Sequence, residues 1–333
     1  MLFVVMQHFW GHAFFPGIGI DKIDGTESFH VYLVHSFFFV AVNCFVLISG
    51  YFRINTSWKR LFHYYFYICF YYFIVSGFNR VITGGSIGKT IVINSLFPFS
   101  HNEYWWFVQC YLLLMLFAPL INRALENIEK RSFLFIIALM TIVDLYFGYF
   151  QGSDNGFSFV HFIYIYLIGA FIGSISEDKI IESNKVRLVA ISLYGGTCIL
   201  WAILSYLNSL NDIPYWKMIA YNNPVVIIAS ISFFMVFCTF RFRSNWINWV
   251  AQSVFAAYLL QEGIDNWLYP RYASMFFSNT IISKICILIV TSILWLLLSV
   301  LIDRIRILVF NYFERVLNIA ISDFSRLKQS CKK

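Results

Sequence analysis

Charge is scarce in this chain: Asp, Glu, Lys and Arg make up 12% of its 333 residues, about half the share in an ordinary soluble domain. That scarcity excludes a water-soluble globular fold. Proline is sparse as well, with six residues, so little interrupts the apolar stretches. Metal-binding spacings are missing. The seven cysteines form no CxxC and no Cys/His pattern, and no metal site is expected. There is no Walker motif, GxGxxG, HExxH or Ser-His-Asp ordering, which speaks against an ATP-driven transporter core. A net charge of +7 is not gathered into a basic patch, so no nucleic-acid partner is expected.

What the chain has is apolar length. Hydrophobic residues account for 60% of it, with a mean hydropathy of +0.71. Apolar runs of helix-spanning length recur near 1–16, 30–52, 61–79, 104–122, 132–150, 158–175, 187–207, 223–240, 249–268 and 280–302. They are too long for barrel strands. The expected fold is all-α, a polytopic transmembrane bundle of about ten helices with membrane lipid as its surroundings. With both termini in the cytoplasm, most of the 24 Lys and Arg residues fall on the inner side, as the positive-inside rule requires. The membrane domain is expected over 1–302. A basic tail over 303–333 follows, in which Phe313, Val316, Leu317, Ala320 and Phe324 recur at helical spacing, the pattern of an amphipathic helix on the inner face.

Polar residues inside such spans carry the information, because each is costly there. His8 and His12 stand one helical turn apart in the string Val5-Met6-Gln7-His8-Phe9-Trp10-Gly11-His12. Imidazole titrates near neutral pH and suits general-base work. Asp144 lies well inside the run 132–150 and demands a partner that the sequence does not name. Ser49 and Gly50 close the run Asn43–Phe52; close helix packing or lining of a ligand channel would each account for them. Arg53, Lys59, Arg60 and His63 gather at the inner mouth of the third run, where positive-inside anchoring and binding of a phosphate-bearing ligand are alternatives. Glu103, Trp105 and Trp106 open the fourth, and Gln261 with Glu262 ends the ninth. Glu262 and Asp265 read as solvated loop charges.

Taken in order, these strings resemble the membrane-bound acyltransferase 3 family. Val5–His8 resembles its first-helix motif, Asn43–Phe52 its second-helix ending, Glu103–Phe107 with Ala118–Asn122 its aromatic helix, and Tyr258–Gln261 its late helix, in which Gln261 replaces a histidine. The resemblance implies an enzyme that moves an acyl group, commonly acetyl, from acyl-coenzyme A to a hydroxyl of a surface or lipid-linked glycan at the cell membrane. His8 would be the base. Arg53, Lys59, Arg60 and His63 would meet the coenzyme A phosphates, and Ser49, Glu103, Trp105, Trp106 and Gln261 would line the substrate path. The donor is a co-substrate, with no resident cofactor. The family also places an arginine roughly three helical turns before this histidine. Counting back from His8 passes the first residue, so the first helix is expected to be short of its opening turns. A polysaccharide exporter and an inactive relative are the competing readings.

Overall fold

Several of the described helices begin where a short polar side chain occupies the free amides of a first turn. Ser57 accepts from the Arg60 amide at 3.3 Å and starts the helix Trp58–Ile82. Asn223 accepts from Val225 at 2.9 Å ahead of Pro224, which suits a first helical position. Ser244 does the same for Asn245–Ala251. The protein, described by a computed structural model over residues 1–13, 28–100, 105–152, 154–175, 183–210, 216–240, 243–273 and 280–330, shows no strand among those residues.

The helices are α1 (Leu2–His8), α2 (Ser28–Ser36), α3 (Val40–Tyr51), α4 (Trp58–Ile82), α5 (Lys89–Leu96), α6 (Trp106–Ala124), α7 (Lys130–Val143) and α8 (Phe159–Ile175). After them come α9 (Asn184–Leu210), α10 (Trp216–Ile219), α11 (Pro224–Cys238), α12 (Asn245–Ala251), α13 (Phe255–Gly263), α14 (Asp265–Ala273) and α15 (Ile281–Ser330). Among the described residues, seven segments are long and apolar enough to cross a membrane: Phe29–Tyr51, Trp58–Ile82, Trp106–Ala124, Lys130–Phe150, Asn184–Asn208, Lys217–Cys238 and Ile281–Arg315. The apolar helix α8 is shorter. The protein is an all-α polytopic bundle.

Its polarity is that of a lipid-embedded body. Large apolar side chains on α7, such as Phe135 and Ile142, are almost two-thirds exposed, a surface that lipid covers at no cost. The centre is α8, apolar all round and buried along most of its length, as a core helix should be. It packs on α3 so tightly that a Cβ on Gly50 would collide with the Tyr166 carbonyl, and one on Gly169 with the Leu47 carbonyl. Small residues serve close backbone approach here.

Two runs differ from the sequence expectation. Residues 249–268 do not form one helix. A turn at 252–254 separates α12 from α13, and α13 stops at Gly263, whose carbonyl leaves the helical ladder to accept from Asn79 Nδ2 at 2.8 Å. At the other end of the chain, α15 continues without a break across 302/303. Asp303 and Arg306, read from sequence as tail residues, are buried. Arg306 donates to both Asp303 carboxylate oxygens at 2.6 and 3.1 Å, lies over the Tyr67 ring at 4.1 Å, and Tyr71 donates to Asp303 at 2.9 Å. A full set of partners is what lets two charges stay inside the bundle.

Candidate active site

α1 lies against α13 in the core. Gln261, fully buried, donates from Nε2 to the Val5 carbonyl at 3.3 Å, fastening the two helices one turn before His8. The next residue, Glu262, thereby comes to His8: Oε1 stands 3.0 Å from Nδ1. This is ion-pair distance, although the two atoms are out of line for a well-directed hydrogen bond, as catalytic contacts often are before substrate arrives. Both side chains are mostly enclosed, at 15% and 20% exposure. The reading of Glu262 as a solvated loop charge is therefore corrected.

His8 lines a partly open cavity, about 380 Å³ of empty space counting its mouth, together with Val42 and Phe45 of α3, Trp106 and Phe107 of α6, and Tyr221, Phe255 and Tyr258. Directly after His8 the helix widens into a π-helical turn over Phe9–Ala13, a form frequent at functional sites; a second such turn runs over Asp144–Phe150. His12 leaves the cavity and stacks on Tyr269 at 4.8 Å. Of the two histidines, only His8 faces this space.

The aromatic wall is held from behind. Trp106 stacks on Tyr221 at 5.5 Å, and the Tyr221 hydroxyl accepts from Gln7 at 3.3 Å. The Tyr221 carbonyl accepts from Asn43 Nδ2 at 3.0 Å. Asn43 Oδ1 in turn faces His161 Nε2 at 3.0 Å, and His161 Nδ1 meets Asp144 Oδ2 at 3.0 Å. Asp144 has its partner, then, in a histidine that the sequence reading passed over. A carboxylate inside an apolar run needs a polar partner, and His161 in the next run was the signal.

The remaining sequence candidates separate. Trp105 is buried edge-on to Tyr72 at 6.2 Å and does not line the cavity. Ser49 bonds the Phe45 carbonyl at 2.9 Å and the Tyr111 hydroxyl at 3.1 Å, on the seam between α3 and α6. Glu103 lies outside the described residues. Arg53 lines a second, open cleft of about 910 Å³ of empty space with Glu126, Asn127, Lys130 and Ser174. Its backbone is left-handed at φ 51°, and the next residue is clamped. Ile54 N–H donates to the Tyr166 hydroxyl at 3.0 Å, its carbonyl accepts from Asn122 Nδ2 at 2.9 Å, and Tyr166 donates to Asn122 at 2.8 Å. The basic group does not stay together. Lys59 pairs with Glu314 at 2.6 Å in an exposed position, Arg60 reaches the Asn55 carbonyl, and His63 Nε2 faces Arg306 at 3.4 Å.

This arrangement places a histidine and a carboxylate at the wall of an aromatic cavity, and a cation-bearing cleft at the far end of α3. Among the described residues no cluster of His, Cys, Asp or Glu could hold a metal ion. No curated protein and no solved structure matches the chain. A family model described as an acyltransferase domain matches residues 1–311, and the chain accordingly belongs to the acyltransferase 3 family of membrane acyltransferases.

Proposed function

We propose that the protein transfers an acyl group, acetyl in the first instance, from acyl-coenzyme A to a hydroxyl of a surface or lipid-linked glycan. It would do so in the cell membrane with both termini cytoplasmic. The observation that carries this reading is His8 at the cavity wall with Nδ1 against Glu262. A carboxylate on Nδ1 selects the tautomer whose Nε2 is free to accept a proton, and it steadies the imidazolium that forms. Nε2 takes the proton of the acceptor hydroxyl as that oxygen attacks the thioester carbonyl. Gln261 holds α13 to α1 and so keeps this pair in register, a positioning role.

The two spaces lie at opposite ends of α6, with Phe107 at the cavity and Leu125 at the cleft. The pantetheine arm of coenzyme A would run between them, from its phosphates to its thiol. Arg53 and Lys130 would take the phosphates, and the α3–α6 seam at Ser49 and Tyr111 would pass the arm. Trp106 and Tyr221 offer aromatic faces to a sugar acceptor.

Membranes from cells expressing the protein, supplied with acetyl-coenzyme A labelled in its acetyl group, should release free coenzyme A and move label into the glycan fraction. Release with no label in glycan would overturn the acceptor. No release above membranes lacking the protein would overturn the transfer reaction and favour an export role.

A further inference from the structure

One wall of the cavity holds a hydroxyl whose proton has no acceptor among the described residues. Tyr258 is 5% exposed, lines the cavity, and its phenolic oxygen is buried, approached by the Phe107 amide but with no well-directed hydrogen bond and no acceptor for its proton among the described residues. Its ring is edge-on to Phe107 at 5.9 Å and 6.0 Å from the His8 ring. Tyr67 and Tyr269 also lack a well-directed partner, but neither lines the cavity; a buried unpaired hydroxyl is destabilising, and only that of Tyr258 can be met by an occupant of this space. The other phenol of the cavity, Tyr221, is partnered by Gln7.

The same wall carries the start of α6. Trp106 and Phe107, its first two residues, line the cavity. The preceding residue, Trp105, makes no side-chain cap. First-turn amides of a helix have no intrahelical acceptor, and their end of the helix dipole favours negative charge. A helix of this length, opening onto a cavity beside an unpaired phenol and opposite a histidine base, provides for an anion that exists only during reaction.

We infer that Tyr258 is a catalytic residue, the donor that with the opening amides of α6 stabilises the oxyanion of acyl transfer. The inference rests on the acyl-transfer reading above. As the acceptor oxygen bonds to the thioester carbonyl carbon, its proton passes to His8 Nε2. The carbonyl π electrons move onto oxygen, where the Tyr258 hydroxyl and the α6 amides receive the charge. Collapse re-forms the carbonyl, breaks the carbon–sulfur bond, and the thiolate leaves with the proton returned by His8. Tyr258 itself neither gains nor loses a proton. The donors are in place before the charge develops, which is the condition under which such groups contribute most.

Tyr258→Phe removes one oxygen and keeps the ring. Coenzyme A release from acetyl-coenzyme A should fall by about 10²–10³-fold in kcat, with KM for acetyl-coenzyme A within about twofold of wild type. The melting temperature of the purified protein should stay level or rise, because an unsatisfied hydroxyl has been deleted. A purely structural Tyr258 would move activity and melting temperature down together, and that outcome would overturn the inference, as would an unchanged kcat. If the wild-type protein itself releases no coenzyme A, the transfer reading falls and the inference with it; a working wild type with an equally fast Tyr258→Phe sinks the inference alone.

Discussion

Two histidine–carboxylate pairs lie inside this bundle, each with a nitrogen–oxygen distance of 3.0 Å, and they have opposite surroundings. His161 and Asp144 are sealed, at 0% and 1% side-chain exposure, whereas His8 and Glu262 are 15% and 20% exposed. The second nitrogen of His161 faces Asn43 Oδ1. The Asn43 amide is oriented by its own donation to the Tyr221 carbonyl, so both ring nitrogens of His161 face acceptors. With both nitrogens engaged, the ring has no site left for a substrate proton. The second nitrogen of His8 has a cavity instead. A histidine beside a carboxylate therefore does not define a site by itself. Access for a third group separates a base from a structural clamp, and the clamp still acts indirectly, because it ends on Tyr221 in the cavity wall.

The largest test of that contrast is His8→Ala. It should lower glycan acylation by roughly 10²–10⁴-fold, the contribution of a positioned general base, while leaving the melting temperature near that of wild type. Label transfer from acetyl-coenzyme A measures the first and a thermal unfolding scan the second. If His12→Ala produced the greater loss, the base would have been assigned to the wrong histidine, since His12 stacks on Tyr269 away from the cavity.

Asp144→Ala should show the reverse pattern. It leaves the His161 ring buried without its carboxylate, and breaking a buried pair costs about 3–5 kcal/mol. The folded fraction should fall, and activity should fall only in proportion to it. Replacing Asp144 and His161 together by apolar residues should recover part of the loss, not all, because Asn43 Oδ1 would still lack a donor. Should Asp144→Ala abolish turnover in fully folded protein, the sealed pair takes part in chemistry and the contrast between the two pairs collapses.

How much of this was legible in the sequence follows from the same distinction. Hydropathy shows a spanning helix whenever one stretch of chain supplies the whole signal, so α4, α6 and α9 could be read directly. It fails where a turn hides inside an apolar run, as at 252–254, since two polar residues, Gln252 and Ser253, are too few to interrupt the apolar average around them. His8 stood out as a candidate through its motif, and the structure places it at the cavity wall. Glu262 did not stand out. Its neighbours Gln261 and Gly263 suggest a helix end, and only the bond from Gln261 to Val5, across the whole length of the chain, carries it to His8. Tyr258 was hidden for a different reason, because a tyrosine in a membrane helix is ordinary and only the lack of a partner marks it. Asp303 and Arg306 were misplaced by a rule that sets charges outside spans. That rule assumes unpaired charges, and these two are paired with each other and with Tyr71.

The inner cations repeat the contrast on a smaller scale. Arg53 is held: the peptide that follows it is fixed through both Ile54 backbone groups by Tyr166 and Asn122, and its side chain lines the open cleft. A charge-assisted bond to phosphate is worth about 1.5–3 kcal/mol, so Arg53→Ala should raise KM for acetyl-coenzyme A by roughly ten- to a hundredfold with kcat little changed. Lys59 is the opposite case. Its pair with Glu314 is short, but the Lys59 side chain is 76% exposed, and exposed pairs contribute about 0–1 kcal/mol. Lys59→Ala should change stability by no more than that and should leave KM near wild type, as steady-state kinetics on correctly inserted protein would read. An increase in KM for Lys59→Ala matching that for Arg53→Ala would move the phosphates out of the cleft and onto the start of α4, and the path along α3 would lose its inner end.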